Sequence, residues 1–173
     1  MTYTASAAYE HFEARQVHPL AITPDGGRLI AADSPNGRVT IFDLSTDTPV
    51  KAMQIPVGLE PVTVKARSND EIWVVNEVSD SVSIISLSAG VVVDTLKVGD
   101  EPTDVVFAAG KAYVACARAG QIRVFDASTR AALPTVTVNG IYPHALTVNA
   151  DGTRLYAAFL LSGNRTTILK KEQ

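Results

Sequence analysis

With 173 residues, 46% of them hydrophobic and 19% charged, the chain has the length of one domain or of one piece of a larger one. A formal net charge of −3, with no block of like charge, leaves no electrostatic footprint for nucleic acid or an anionic membrane. Cys116 is the single cysteine, so an intrachain disulfide and a Cys-rich zinc site are excluded, and no apolar run reaches the roughly 18 residues of a membrane-spanning helix.

Residues 1–8 read as an N-terminal tail. They lack the charged and apolar regions of a signal peptide, yet Ala5-Ser6-Ala7 before Ala8 matches the small-residue end of a cleavage site. A remnant of an export signal and a short unstructured lead are the two expectations. Residues 9–17 alternate weakly and read as a strand that completes the fourth blade of this chain or a blade of a neighbouring one.

From residue 18 onward one repeat organises everything. Pro19, Pro61, Pro102 and Pro143 recur at spacings of 42, 41 and 41 residues, and Gly58, Gly99 and Gly140 at 41 and 41. Phe42, Ile85, Phe125 and Ile168 end the third apolar run of each unit at spacings of 43, 40 and 43. Three independent landmarks keep one period, which divides the chain into units 18–58, 59–99, 100–140 and 141–170.

Each unit reads as four short strands separated by turns. The first unit gives 20–23, 28–32, 38–44 and 51–57, with turns at Pro24-Asp25-Gly26-Gly27 and Ser34-Pro35-Asn36-Gly37. The second gives 62–66, 71–76, 81–87 and 91–98, and the third 103–108, 111–117, 121–126 and 133–138. The fourth gives 145–148, 154–159 and 165–169, with Asn149-Ala150-Asp151-Gly152 as its first turn and no fourth strand. The first two strands of each unit are apolar on both faces, as in Ile72-Trp73-Val74-Val75, so they need cover on two sides. The third strands alternate, as in Arg38-Val39-Thr40-Ile41-Phe42, and are expected nearer to solvent. That gradient fits an all-β β-propeller of about four blades, each of four antiparallel strands. The finished assembly is a closed ring of four, part of a larger ring, or half of an eight-blade dimer.

These residues resemble the YVTN-type β-propeller repeat family. The likeness lies in Pro19…Pro24-Asp25-Gly26…Ile41-Phe42-Asp43, and in Trp73-Val74-Val75-Asn76 where the signature tetrad falls. Tyr113-Val114-Ala115-Cys116 and Tyr156-Ala157-Ala158-Phe159 stand in the same slot. The resemblance covers about residues 17–169, and no Gly-His…Trp-Asp pattern accompanies it. It implies an exported protein, periplasmic or extracellular, with a binding rather than catalytic role. It also implies lactonase-like cousins in the wider class.

Candidate site residues cluster by position. His18, Glu60, Glu101 and Tyr142 immediately precede the four repeat prolines, where the chain enters the innermost strand near the mouth of the central channel. Asp104 and His144 follow their prolines by two and one residues. Such groups suit a hard or borderline cation, a polar small molecule or the basic side chain of a partner. They also suit hydration of a channel with no ligand. The apolar run Phe159-Leu160-Leu161, expected in a turn, suits a partner contact. Trp73, Phe42, Phe125 and Cys116 read as core. No G-x-S-x-G elbow is present, no cofactor or metal site is assigned, and Asn164-Arg165-Thr166 is a bare sequon.

The expected function is therefore a non-catalytic scaffold that binds a protein partner, a surface polymer or a small ligand through its loop face and channel mouth. Self-association to complete the ring accompanies it, and nucleic acid is not expected. The runner-up is a metal-dependent lactonase or hydrolase built on the same acids and histidines.

Overall fold

The computed structural model describes residues 15–161. They form a β-propeller arc in which every sheet is a meander, with strand order equal to chain order. The first blade holds β1 (Leu20–Ile22), β2 (Arg28–Asp33), β3 (Arg38–Asp43) and β4 (Val50–Pro56). The second holds β5 (Pro61–Ala66), β6 (Glu71–Asn76), β7 (Ser81–Ser86) and β8 (Val91–Lys97). The third holds β9 (Pro102–Ala108), β10 (Lys111–Cys116), β11 (Gln121–Asp126) and β12 (Ala132–Thr137). The fourth contributes β13 (Ile141–Val148) and β14 (Leu155–Leu161). The third strand expected at 165–169, most of the closing strand expected at 9–17, and the sequon at Asn164 lie outside the described residues.

Val, Ile and Thr dominate these strands because branched side chains pack well on a pleated, covered surface. The turns follow their residues. Gly26 takes φ +73° after Asp25, whose side chain accepts from the Gly27 N–H at 2.9 Å and the Thr23 hydroxyl at 2.6 Å. At the opposite end of the arc, Arg154 N–H donates to the Asn149 side chain at 2.7 Å in the equivalent turn.

Each blade has a front facing the next blade and a back facing the one before. Between the first and second blades, Ile30, Val39, Ile41 and Ile55 pack on Val64, Ile72, Val74 and Ile85. Between the second and third, Trp73, Val75, Val82 and Ile84 pack on Val105, Ala112, Val114 and Phe125. Trp73 meets Phe107 edge to face, with centroids 5.3 Å apart, a favoured aromatic geometry. Between the third and fourth, Val106, Ala115 and Ile122 pack on Leu146, with Leu155 and Ala157 alongside. The innermost strands β1, β5, β9 and β13 lie side by side in that order.

Hydrogen bonds reinforce the same joints near the channel. Ser34 Oγ donates to the Pro61 carbonyl at 2.6 Å, Thr63 Oγ1 to the Thr103 carbonyl at 2.7 Å, and Thr103 Oγ1 to the Pro143 carbonyl at 3.4 Å. One blade thus hooks the next across all three joints, through polar groups that need partners once buried.

Three sequence expectations change. The third strands are mostly buried, as in Ser81–Ser86, and it is the fourth strands that alternate, as in Val91–Lys97. A fourth neighbour in the sheet shields the third strand, so exposure begins one strand further out. Phe42 is only half-buried, because it lies on the back of the first blade. Leu160 and Leu161 belong to strand β14 rather than to a turn.

Candidate functional site

The channel mouth is built by a repeated turn. Gly58-Leu59-Glu60-Pro61, Gly99-Asp100-Glu101-Pro102 and Gly140-Ile141-Tyr142-Pro143 share one conformation, with the third residue left-handed at φ +51°, +52° and +57°. A non-glycine residue there is strained by about 1–2 kcal/mol. The glycines are needed because the chain passes close to the second strand and hairpin of the blade it is entering: a Cβ on Gly140 would stand 2.1 Å from the Phe159 ring. The turn is tied down by its carbonyl, since Glu77 N–H donates to the Glu60 carbonyl at 3.0 Å and Ala117 N–H to the Glu101 carbonyl at 2.8 Å.

A β-bulge follows each turn. Pro61 opposes Asn76 while Thr63 opposes Val75, which leaves Val62 as the extra residue. Thr103 and His144 are the extra residues in the third and fourth blades. Bulges re-aim side chains at strand ends. His144 is thus the bulge residue of β13, with Tyr142 two residues earlier on the same strand.

Two subsets of the sequence-derived residues come together. In the first, His18 Nδ1 stands 3.1 Å from Asp104 Oδ1, across 86 residues of chain. The backbone brings His18 there: Val17 N–H donates to the Val62 carbonyl at 3.0 Å, and Val64 N–H to the His18 carbonyl at 2.9 Å. The lead into the first blade therefore runs parallel to β5 along its channel-side edge. Asp104 is buried and fully engaged, because it also accepts from Val105 N–H at 2.8 Å and from Leu146 N–H at 2.6 Å. This carboxylate sews together the lead segment, the third blade and the fourth.

The second subset is acidic and includes a residue the sequence did not single out. Burial, then the charges of Glu101 and Glu60, push the Glu77 carboxyl up to about 7. Arg118 offsets part of the charge, lying 3.4 Å from Glu101 and 3.5 Å from Asp100 while remaining largely exposed. Exposed pairs of this kind are weak. Tyr142 and His144 lie on β13 of the fourth blade, and among the described residues no side-chain hydrogen bond or ion pair joins them to either subset.

The remaining chemistry is quieter. Cys116 is buried, and burial pushes its thiol up to about 11, so it is no nucleophile at neutral pH. An open groove of about 470 Å³ separates the outer parts of the first two blades, with Ser79, Ser81, Ser83, Thr95 and Lys97 on its walls. Asn76 Nδ2 donates to Ser81 and Ser83 beneath it, while its Oδ1 has no hydrogen-bond partner.

No family model matches the chain, and no curated protein matches it. Solved structures do. It is similar to Kuenenia stuttgartiensis hydrazine synthase at 23% identity and a TM-score of 0.76, covering 91% of this chain and 46% of that one. A 6-phosphogluconolactonase candidate from Bacteroides uniformis aligns at 17% identity and a TM-score of 0.70, covering 82% of this chain and 47% of that one. A functionally unknown protein from Desulfotomaculum acetoxidans aligns at 13% identity and a TM-score of 0.74, covering 84% and 49%. At such identities the likeness carries the fold and not the activity. The chain spans about half the length of each of these structures, and its fold is that of a β-propeller arc.

Proposed function

We propose that the chain is a non-catalytic propeller scaffold whose acidic mouth receives a basic group of a protein partner. The observation that carries this reading is the position of Glu77. Its carboxyl is pushed up to about 7 by burial and by Glu101 and Glu60, so ionising it beside them is costly until a cation arrives. A lysine or arginine side chain entering the mouth relieves that repulsion. The variable hairpin ends around it suit partner recognition without disturbing the strands. The Trp73-Val74-Val75-Asn76 tetrad supports placing the chain beside the YVTN-type propellers, and with them an exported location.

The hydrolytic reading is weaker. Both oxygens of Asp104 are committed to backbone N–H groups or to His18, which suits a positioning role better than a general base. Its remaining support is the fold shared with the Bacteroides uniformis lactonase candidate.

The test is calorimetric titration with the tripeptide Lys-Arg-Lys at pH 6 and pH 8, either side of the Glu77 value of about 7. Binding should tighten at pH 8, weaken in salt, and fall about fivefold in Glu77→Gln, the worth of one partly screened charge pair. Affinity indifferent to pH and to that substitution refutes the reading. So does turnover of a lactone that Glu101→Gln abolishes.

A further inference from the structure

In each of the first three blades the second and third strands meet in one last pair beside the turn that joins them. The pairs are Asp33 with Arg38, Asn76 with Ser81, and Cys116 with Gln121. The same row runs on to the fourth strand, at Pro56, Lys97 and Thr137. Two residues along the third strand, on the same face, stand Thr40, Ser83 and Arg123.

The three rows are filled differently. In the first blade the row settles its own charge, because Arg38 Nε donates to Asp33 Oδ2 at 2.7 Å. In the third blade long side chains take up the room. Arg123 lies over the Phe125 ring, and Gln121 Nε2 stands 2.9 Å from where a Cβ on Gly99 would be. The second blade has neither acid nor bulk there. Asn76 stands in place of the acid, and Ser81 and Ser83 in place of the longer side chains. The cation is one strand further out, as the exposed Lys97, which makes no ion pair among the described residues. The room so released is the groove of about 470 Å³, bounded on the first blade's side by Pro56, Val57 and Gly58.

The hydrogen bonds of this groove do not close. Asn76 Nδ2 donates to Ser81 and Ser83 at 3.1 and 3.0 Å, and Leu59 N–H donates to Ser79 at 3.0 Å. Ser79 and Ser81 share one hydrogen between oxygens 3.0 Å apart. Each hydroxyl brings one proton, so the proton of Ser83 and one from the Ser79–Ser81 pair have no acceptor among the described residues. The Lys97 ammonium adds further donors. Asn76 Oδ1, buried beneath the serines, has no partner either. Unsatisfied groups of this kind call for an explanation. The walls supply donors and one positive charge, and they lack an acceptor.

We propose that this groove binds a sugar acid, a hydroxylated ring carrying one carboxylate. The carboxylate pairs with Lys97, ring oxygens accept from Ser79 and Ser83, and the C–H face of the ring lies on Val57 and Val92. A carboxylate suits the site better than a phosphate dianion, because Lys97 brings a single charge and because the first blade places a carboxylate, Asp33, in the equivalent row. The volume is in the range of small-molecule sites. The groove does not depend on what the mouth receives.

Two-dimensional amide NMR of the full chain, titrated with D-galacturonate at pH 6, tests the site; Glu77 in the adjoining turn holds its proton at that pH. Signals of Ser81, Ser83, Thr95 and Lys97 should shift, and those of Gln121 and Arg123 should not. Neutral D-galactose should bind about tenfold or more weakly than the acid, the worth of one charge-assisted contact. Lys97→Met should cost a similar factor, Lys97→Arg no more than about threefold, and Ser83→Ala about threefold, with far-UV circular dichroism to check each fold. Galacturonate that moves no amide at the groove, or that binds no tighter than galactose, overturns the proposal. So does an affinity untouched by Lys97→Met, or inorganic phosphate binding as tightly as the sugar acid.

Discussion

Trp73 and Tyr156 occupy the same place on the second strand of their blades, yet one is sealed and the other half exposed. Trp73 sits in the second blade, between two neighbours, with Phe107 against its ring and its indole N–H donated to Glu71 at 2.7 Å. Tyr156 sits in the fourth blade, on a face that no other blade covers among the described residues. The residue type is dictated by the repeat, while its burial is dictated by the neighbour. In a solenoid-like array, stability is a sum over units and joints, so the middle of the arc carries the cooperativity and its ends carry unsatisfied surface.

That contrast can be broken by mutation. The largest effect is expected for Trp73→Ala, which removes the largest fully buried side chain and should cost about 3–5 kcal/mol in urea unfolding. Tyr156→Ala should cost no more than about 0.5 kcal/mol. Equal costs would show that the fourth blade's front is already covered within one chain. Next in size is Asp104→Asn. An amide cannot accept from Val105 N–H and Leu146 N–H while also meeting His18, so one buried donor is left without a partner and about 1–3 kcal/mol is lost. Because Leu146 belongs to the fourth blade, amide exchange should rise in β13 and β14 before it rises in β5 to β8. Exchange rising uniformly would argue against a role at that joint.

Smaller than the Trp73 and Asp104 losses is a pH dependence. The Glu77 carboxyl has an ordinary value of 4.5 and is raised to about 7 in the folded chain. The folded state therefore holds this proton more tightly than the unfolded chain does. Its contribution is fully present below pH 4.5 and is lost as pH rises through about 7. Wild type should lose about 1 kcal/mol relative to Glu77→Gln between pH 5 and 8, a figure reduced from the full linkage value because the side chain is partly solvated. A difference that grows towards acid would reverse the assignment.

Much of the fold was legible because a propeller is written locally. The proline and glycine spacings mark each turn, and a strand expected at 28–32 is found at Arg28–Asp33, with 111–117 found at Lys111–Cys116. Burial of Trp73, Phe125 and Cys116 followed from apolar strands needing cover on both sides. The mouth was legible only in part. Glu77 follows the Trp73 tetrad in a stretch that reads as an ordinary polar turn. Its character comes first from burial and then from Glu101 and Glu60, brought in from the starts of two different blades. The left-handed turns had a signal in the Gly-x-x-Pro spacing, but a residue before proline is normally expected to be extended. His18 and Asp104 were both singled out, although nothing local indicates that the lead segment crosses to the third blade. The misplaced solvent boundary, one strand too far in, arose because a half-polar third strand such as Ser81–Ser86 satisfies its hydroxyls internally, through Asn76.

The left-handed residues carry one more consequence. Glycine or asparagine would sit at positions 60, 101 and 142 with less strain, and a chain selected for robustness alone would drift towards them. Two glutamates and a tyrosine there keep the rim under backbone tension. A thermostabilising screen should therefore find its easiest gains at the rim.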